Sequence, residues 1–197
     1  MNILVASLAT VFLIWAARVD YRIRKIPRGA GFGILAIGLF VLLWNQLWVE
    51  ALFFVIAIWC TSGGIWSLVL ILISMATVFL QGEASLPLVL GIVLVSLFFW
   101  MRWFGGGDAQ LAIGLIGIGH DWTILALLAG CTILSMGILV FRRYGFSNGI
   151  KRVRYVFQHL SAKPDANAIH TPWALIALIV GILYLWFWPL VSGGNPV

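Results

Sequence analysis

Residues 103–110 read Trp-Phe-Gly-Gly-Gly-Asp-Ala-Gln and lie between two apolar runs of the chain. Consecutive glycines are poor interior residues for a helix, because each costs roughly 1 kcal/mol relative to alanine. The stretch therefore predicts that one helix ends here and that another begins with Asp108 near its N-terminus. Two interpretations of Asp108 stay open at this point. It either caps the new helix or is a functional carboxylate at membrane depth.

The composition is typical of a membrane protein. Of the 197 residues, 63% are hydrophobic and only 9% are charged, and the mean hydropathy is +1.10. A soluble domain does not have this balance, whereas a polytopic membrane protein does. The two cysteines, Cys60 and Cys131, stand apart inside apolar runs. They form no cluster with the spacing of metal ligands, so we expect no metal site.

The apolar segments predict an all-α, polytopic membrane helix bundle with a discontinuity near Gly105–Asp108. They fall at about 3–17, 30–48, 51–62, 65–80, 87–103, 109–119, 122–141 and 172–189. We expect about eight transmembrane segments, and at least six. Residues 51–62 are short, and are either a re-entrant piece or the start of a long, kinked helix that includes 65–80. Residues 109–119 either extend back through Asp108 or form a half-helix.

The charges predict an orientation. If all eight segments cross, all 12 lysines and arginines fall on one side. By the positive-inside rule this side is cytoplasmic and both termini lie outside. Orientation and contact with anionic lipid account for the basic residues, so we expect lipid and not nucleic acid as a partner. Glu50 and Glu83 are predicted to be charges on the outer surface, and His120 and Asp121 to form a solvated turn.

One polar segment, residues 142–171, interrupts the apolar pattern. Within it, Gly149–Leu160 places apolar residues on one helical face and basic residues elsewhere. This pattern predicts a basic amphipathic helix on the cytoplasmic membrane surface. No domain linker is evident, so residues 1–197 are predicted to form a single integral-membrane domain.

A second aspartate, Asp20, follows the first apolar segment among five basic residues. Taken alone, it is explained as a local balance of charge. The predicted topology, however, places Asp20 and Asp108 at the same depth on the cytoplasmic side. Two neighbouring carboxylates cannot both ionise easily, so one can act as an acid and the other as a base on a water molecule. This is the chemistry of aspartic peptidases, and it needs no metal or other cofactor.

Three stretches carry a resemblance to a known family. Asp20, Arg22, Ile26 and Pro27 follow the first span, Gly-Gly-Gly-Asp at 105–108 opens a later one, and Ile-His-Thr-Pro at 169–172 leads into the last. In this order they resemble the signatures of the type IV prepilin peptidases, integral-membrane aspartic peptidases with a Gly-x-Gly-Asp motif. The family pattern has an aspartate, an arginine two residues later and Ile-Pro-Asn, then Gly-x-Gly-Asp-x-Lys.

The resemblance implies a membrane aspartic endopeptidase with Asp20 and Asp108 as its catalytic pair. It would cut the short basic leader from a prepilin or pseudopilin at the cytoplasmic face of a bacterial inner membrane. The chain has no paired CxxC motifs, so it looks like the compact form without the methyltransferase domain. The residues expected to shape the site or to contact the substrate are Gly105, Gly106, Gly107, Arg22, Pro27, Gln110 and Arg102.

The chain departs from the family pattern at two positions. Arg28 stands where the family has asparagine, and Gln110 stands where it has lysine. These departures favour one alternative, a catalytically inactive factor that binds prepilins during pilus assembly. The other alternative is a proton- or cation-coupled transporter that uses the same aspartates as a relay. The sequence does not determine the oligomeric state.

Overall fold

A computed structural model describes residues 3–23, 25–60, 73, 76, 77, 82–100, 105–158 and 173–192. Every regular element in these ranges is helical, which confirms the predicted all-α fold for this part of the chain. A 3₁₀ turn (Gly82–Ser85) and a π-helical turn (Leu183–Phe187) accompany the α-helices. The α-helices are α1 (Ile3–Ile23), α2 (Arg28–Trp44), α3 (Trp48–Cys60), α4 (Leu86–Trp100), α5 (Gly106–Gly119), α6 (Trp122–Gln158), α7 (Trp173–Ile182) and α8 (Trp188–Ser192).

Helix α5 lies at the centre of the bundle. From Ala109 to Gly119, all of its residues except Gln110 are buried. Its backbone touches that of α2, since a Cβ atom added to Gly114 would lie 2.8 Å from the carbonyl carbon of Ile34. Small residues allow such close approach in membrane bundles, where packing contacts take the place of the hydrophobic effect. Helices α4, α6 and α7 also pack on α5, and α1 packs on α2 and α7.

The bundle has two ends, which we call the site end and the far end. Helix α5 begins at the site end, where Ile26, just before α2, packs on Gly107. Ile58 near the end of α3 and Phe99 near the end of α4 lie there as well. Helix α5 ends at the far end, where residues 120–121 lead into α6. Consecutive helices α1, α2 and α3 therefore alternate in direction, as do α4, α5 and α6.

Three of the described helices are long and apolar enough to cross a membrane, namely Ile3–Ile23, Trp122–Tyr144 and Trp173–Val191. Arg28–Trp44, Trp48–Ile58 and Leu86–Phe99 are apolar but shorter. The chain is therefore of the membrane-protein type that the composition predicts. Eight crossings remain a prediction, because most of segment 65–80 lies outside the described residues.

The two short apolar segments both form helices. Helix α3 has 13 residues, and α5 has 14 because it extends back through Asp108 to Gly106. Residues 109–119 thus extend back through Asp108, as the first interpretation has it, and a half-helix that starts inside the bilayer stays a prediction. A helix of this length spans about 21 Å, less than the bilayer core of about 30 Å. Because protein surrounds α5, its ends need not reach the membrane surface.

Helix α6 contains a break at Gly145, whose φ of 73° is not helical. The apolar part, Trp122–Tyr144, lies before this break, and helical backbone resumes after it and continues to Gln158. A helix therefore exists over most of the predicted amphipathic stretch 149–160. Residues 159–171, the rest of the predicted basic segment, lie outside the described residues.

The described charges are divided between the two ends of the bundle. Exposed basic side chains lie at the site end, on the last two turns of α1, between α1 and α2, at the start of α2 and on α6 before its break; they are Arg18, Arg22, Lys25, Arg28, Arg142 and Arg143. Glu50, Glu83 and Asp121 lie at the far end, whereas Asp20 and Asp108 lie at the site end. The predictions for Glu50 and for the turn at His120 and Asp121 are wrong. Glu50 is buried, because the start of α3 packs inward, and His120 and Asp121 are half-buried because Tyr184 packs over their turn.

Candidate active site

Asp20 lies in the last turn of α1 and is only 8% exposed. Its Oδ2 accepts a hydrogen bond of 3.3 Å from the backbone N–H of Ala174, in the first turn of α7. The first N–H groups of a helix have no partner within the helix, and the helix dipole favours negative charge there. Asp20 therefore ties the end of the first helix to the start of α7, across 154 residues of sequence.

Asp108 is the third residue of α5, as the glycine-rich stretch predicts. Its Oδ2 accepts a hydrogen bond of 3.0 Å from the backbone N–H of Gly105, whose extended backbone (φ −72°, ψ 161°) precedes the helix. An acidic side chain that reaches back in this way forms half of a capping box. The N-cap residue is Gly105, and Asp108 assists capping from the third position of the helix, so the predicted capping role holds in this arrangement. It does not decide whether the carboxylate is also catalytic.

The glycine before Asp108 allows two of the predicted motifs to touch. A Cβ atom on Gly107 would lie 2.6 Å from the Cβ atom of Ile26, closer than real Cβ contacts come. Only glycine therefore permits this approach between the start of α5 and the segment that leads into α2. Ile26 follows Asp20 by six residues, so this contact brings the two aspartate-bearing segments together at the site end.

A cavity of about 200 Å³ opens beside the first turn of α5. Gly106 and Gln110 contribute to it, and the rest of its lining is apolar. Gln110 also packs against α2, where its side chain occupies the space that a Cβ on Gly31 would need. The cavity is lined by Leu35, Ile58, Phe99, Gly106, Ala109, Gln110 and Ile113. An apolar lining with few polar groups is of the kind found in ligand pockets, whose usual volume of about 300–1,000 Å³ is larger than that of this cavity.

The remaining predicted site residues have different surroundings. Arg22 is exposed in the last turn of α1. Pro27 is the N-cap of α2, and its carbonyl oxygen accepts hydrogen bonds of 3.0 Å and 3.3 Å from the N–H groups of Ala30 and Gly31. Gly105 and Gly106 are exposed. Arg102 lies outside the described residues, so its predicted role stays a prediction.

No group of three or more histidine, cysteine, aspartate or glutamate side chains in the described ranges is arranged to hold a metal ion. The site end presents two carboxylates, each oriented by a backbone N–H group. Sequence reasoning missed the partner of Asp20, because a backbone amide leaves no trace in the residue type at position 174. It also missed the buried polar residues at the far end.

In comparisons with known proteins, no family model matches the chain, and no curated protein or solved structure matches it. The resemblance to prepilin peptidases therefore rests on the residues quoted above and on their arrangement.

Proposed function

We propose that the chain is a membrane aspartic endopeptidase that cleaves the short basic leader of type IV prepilin-like proteins at the cytoplasmic face of the inner membrane. The observation that carries this proposal is the convergence, at one end of the bundle, of the two aspartate-bearing segments and the first turn of α7, the helix into which the third motif leads. Asp20 is bonded to Ala174, at the start of α7, and Ile26 packs on Gly107, one residue before Asp108.

The two carboxylates would divide the work of hydrolysis. One, ionised, takes a proton from a water molecule while the water oxygen attacks the carbonyl carbon of the scissile peptide. The other, protonated, gives its proton to the carbonyl oxygen. The intermediate then collapses as one of its hydroxyl groups returns a proton to the carboxylate that acted as the acid. The C–N bond breaks, and the leaving nitrogen takes the proton that the other carboxyl group received from water. The oxygen and hydrogen atoms that are added to the two products come from water, and the two carboxyl groups transfer all the protons. This step therefore requires no metal or other cofactor.

The cavity beside α5 supports a substrate of this class. A prepilin carries its leader directly before a hydrophobic helix, so apolar side chains follow the scissile bond. The cavity is lined chiefly by apolar residues and includes Gly106, two residues before Asp108. An apolar side chain of the substrate could occupy it while the neighbouring peptide bond lies over the carboxylates. Gln110, the polar side chain in the lining, would hydrogen-bond the substrate backbone.

The position of the aspartates along their helices favours the peptidase over a transporter. A proton or cation relay is expected near the middle of the spans, where charged side chains mark ion pathways. Asp20 lies instead in the last turn of α1, and Asp108 in the first turn of α5. The inactive assembly factor, suggested by Arg28 and Gln110, would bind the same substrate without cutting it.

Substitution by asparagine separates catalysis from helix capping. Asparagine caps helices about as well as aspartate, so Asp20→Asn and Asp108→Asn should preserve the fold while removing the acid–base chemistry. We expect each substitution to slow leader removal by about 10²–10⁴-fold, the usual contribution of a general acid or base. The assay follows the gel shift of a co-expressed model prepilin with a short basic leader and a hydrophobic helix.

Asp121→Asn is the matched control, because Asp121 also accepts a backbone N–H bond at a helix start but lies at the far end. It should leave cleavage unchanged. Normal processing by the Asp20→Asn or Asp108→Asn variant would overturn the catalytic assignment. A wild-type chain that co-purifies with uncut prepilin and never processes it would instead identify an assembly factor.

A further inference from the structure

The far end contains a group of buried polar atoms that the proposed peptidase does not use. Glu50 is 5% exposed, and its Oε2 is buried without a hydrogen-bond partner among the described residues. The Nδ1 atom of His120 and the Nδ2 atom of Asn45 are buried and unpartnered in the same way within that part of the chain. A buried polar atom without a partner is costly, so each such atom calls for an explanation.

Packing brings Glu50 and His120 to the same level of the bundle. Phe54, four residues after Glu50, rests against Gly117, where an added Cβ would lie 2.6 Å from the phenylalanine ring. Residues four apart in a helix share a face, so Glu50 lies one turn above this contact, toward the far end. His120 follows Gly117 by three residues and ends α5 at that level. Glu50 is among the groups that raise the pKa of His120, in agreement with this placement.

Asp121, the acidic residue next to His120, already has a hydrogen-bond partner on each of its carboxylate oxygens. Asp121 accepts a hydrogen bond of 2.9 Å from the N–H of Ile124 through Oδ1, and one of 3.0 Å from the hydroxyl of Tyr184 through Oδ2. Asp121 is therefore hydrogen-bonded to the first turn of α6 and to the π-helical turn. The described side chains offer no three-ligand group for a metal ion. Oε2 of Glu50 and Nδ1 of His120 can, however, share a proton, and a proton needs no cavity to hold it.

We propose that Glu50 and His120 form a proton-binding site at the far end, in which the imidazole takes up a proton at Nδ1 and donates it as a hydrogen bond to Oε2 of Glu50. Proton uptake would give both unpartnered atoms a partner and would link the start of α3 to the turn between α5 and α6. The proposal does not depend on the peptidase activity, because it concerns the opposite end of α5 from Asp108.

The direction of the pH effect follows from the surroundings of His120. Burial lowers its pKa below the ordinary value of 6.5, and the Ile118 carbonyl and the carboxylates of Asp121 and Glu50 only partly oppose this. The folded chain then holds this proton less tightly than the unfolded chain. The contribution of the neutral, buried imidazole to stability is therefore fully present above pH 6.5. It is lost as the pH falls from 6.5 toward the lowered pKa of His120.

The other elements at the far end bring few charges near the ring. Tyr184, from the π-helical turn, is engaged with Asp121. Glu83, in the 3₁₀ turn before α4, is exposed, and Asn45 at the end of α2 does not titrate. The carboxylate of Glu50 is thus the charge on a neighbouring helix that can respond to a proton on His120. Its removal should make the imidazole still harder to protonate.

The test is a pH titration of the full chain in detergent micelles, with the imidazole signals followed by NMR. His120→Asn assigns the His120 signal, and asparagine tolerates the left-handed backbone (φ 37°) at this position. We expect Glu50→Gln to lower the titration midpoint of His120 by about 1 pH unit, as the loss of a nearby opposite charge does. Glu83→Gln, which removes an exposed carboxylate at the same end, should leave the midpoint unchanged.

Thermal midpoints measured between pH 8 and pH 5 give a second readout. Glu50→Gln should steepen the loss of stability on acidification, whereas His120→Asn should flatten it. A His120 midpoint that is the same in wild type and Glu50→Gln would overturn the proposal. If Glu50→Gln does not fold, the wild type decides: an Nδ1 proton that exchanges slowly below the midpoint supports the shared proton, and one that exchanges freely refutes it.

Discussion

Asp108 and Asp121 lie at opposite ends of α5, and each accepts a hydrogen bond from a backbone N–H three residues away. Their surroundings differ. Asp121 uses its second oxygen to accept a bond from the buried hydroxyl of Tyr184, so both of its oxygens serve the fold. Asp108 lies at the end where the exposed basic residues are, next to a cavity and to the segment that carries Asp20.

The comparison shows that helix capping by itself is no evidence for or against catalysis. A carboxylate in the first turn of a helix is favourable at either end of the bundle, because unpaired N–H groups and the helix dipole are present in both places. What distinguishes Asp108 is a second carboxylate on a contacting segment and space beside it for a substrate. Substitutions in α5 and at its two ends therefore test whether Asp108 and Asp121 have different roles.

The largest effect is expected in the middle of α5, where both ends depend on the same contact. A Cβ on Gly114 would meet the carbonyl carbon of Ile34 at 2.8 Å and its oxygen at 3.0 Å, and backbone atoms cannot turn away as a side chain can. We expect Gly114→Ala to destabilise the fold by about 3 kcal/mol, the upper part of the usual cost of overpacking. The measurement is the thermal midpoint in detergent micelles, followed by tryptophan fluorescence.

Gly137→Ala is the control for that experiment, because the atom nearest to its added Cβ, in the ring of Phe141, is 3.9 Å away. It should leave the thermal midpoint unchanged or raise it, since alanine favours a helix over glycine. Equal midpoints for the two alanine variants would mean that α2 and α5 are not packed as closely as the structure shows.

A smaller effect, confined to the site end, is expected from Gly107→Ala. The added Cβ would collide with the Cβ of Ile26, but the segment before α2 can shift more easily than a helix interior. We expect a loss of about 1–2 kcal/mol, with a parallel fall in prepilin cleavage because the two aspartate-bearing segments separate. Gly106→Ala, whose nearest neighbour in the ring of Phe99 is 3.9 Å away, should keep the stability of the wild type.

The double variant Gly107→Ala/Ile26→Gly removes the opposing Cβ and should recover part of the loss. If it is no more stable than expected from the sum of the two single substitutions, the contact between Gly107 and Ile26 does not hold the two segments together.

Local patterns predicted much of the site end. The glycine run and the aspartate after it predicted the start of α5, because helix breaking and capping depend on neighbouring residues. The end of the first helix near Asp20 followed from the basic residues there. The bond between Asp20 and Ala174 was not predictable, since it joins a side chain to a backbone amide far away in sequence.

The far end was predicted poorly for a related reason. A glutamate and a His-Asp pair next to apolar segments look like surface charges, because nothing local distinguishes a buried acid from a solvated one. Glu50 is buried since α3 places Phe54 against Gly117, and that contact depends on how α3, α5 and α2 pack together. Burial of this kind is a property of the assembled bundle and not of the segment.

The smallest effect is expected from Tyr184→Phe, which tests the far end alone. The hydroxyl lies 3.1 Å from the carbonyl oxygen of Gly119 and 3.0 Å from Oδ2 of Asp121. Because Asp121 is half-buried, water can solvate its carboxylate once the tyrosine hydroxyl is gone. We therefore expect the free energy of unfolding to fall by about 1 kcal/mol in the thermal unfolding assay. Tyr21→Phe is the control, because Tyr21 is 81% exposed and should tolerate loss of its hydroxyl.

Prepilin cleavage by Tyr184→Phe should match the wild type. A fall in cleavage larger than the fall in folded protein would show that the two ends of α5 are coupled, and Asp121 would then no longer serve as an independent control for Asp108.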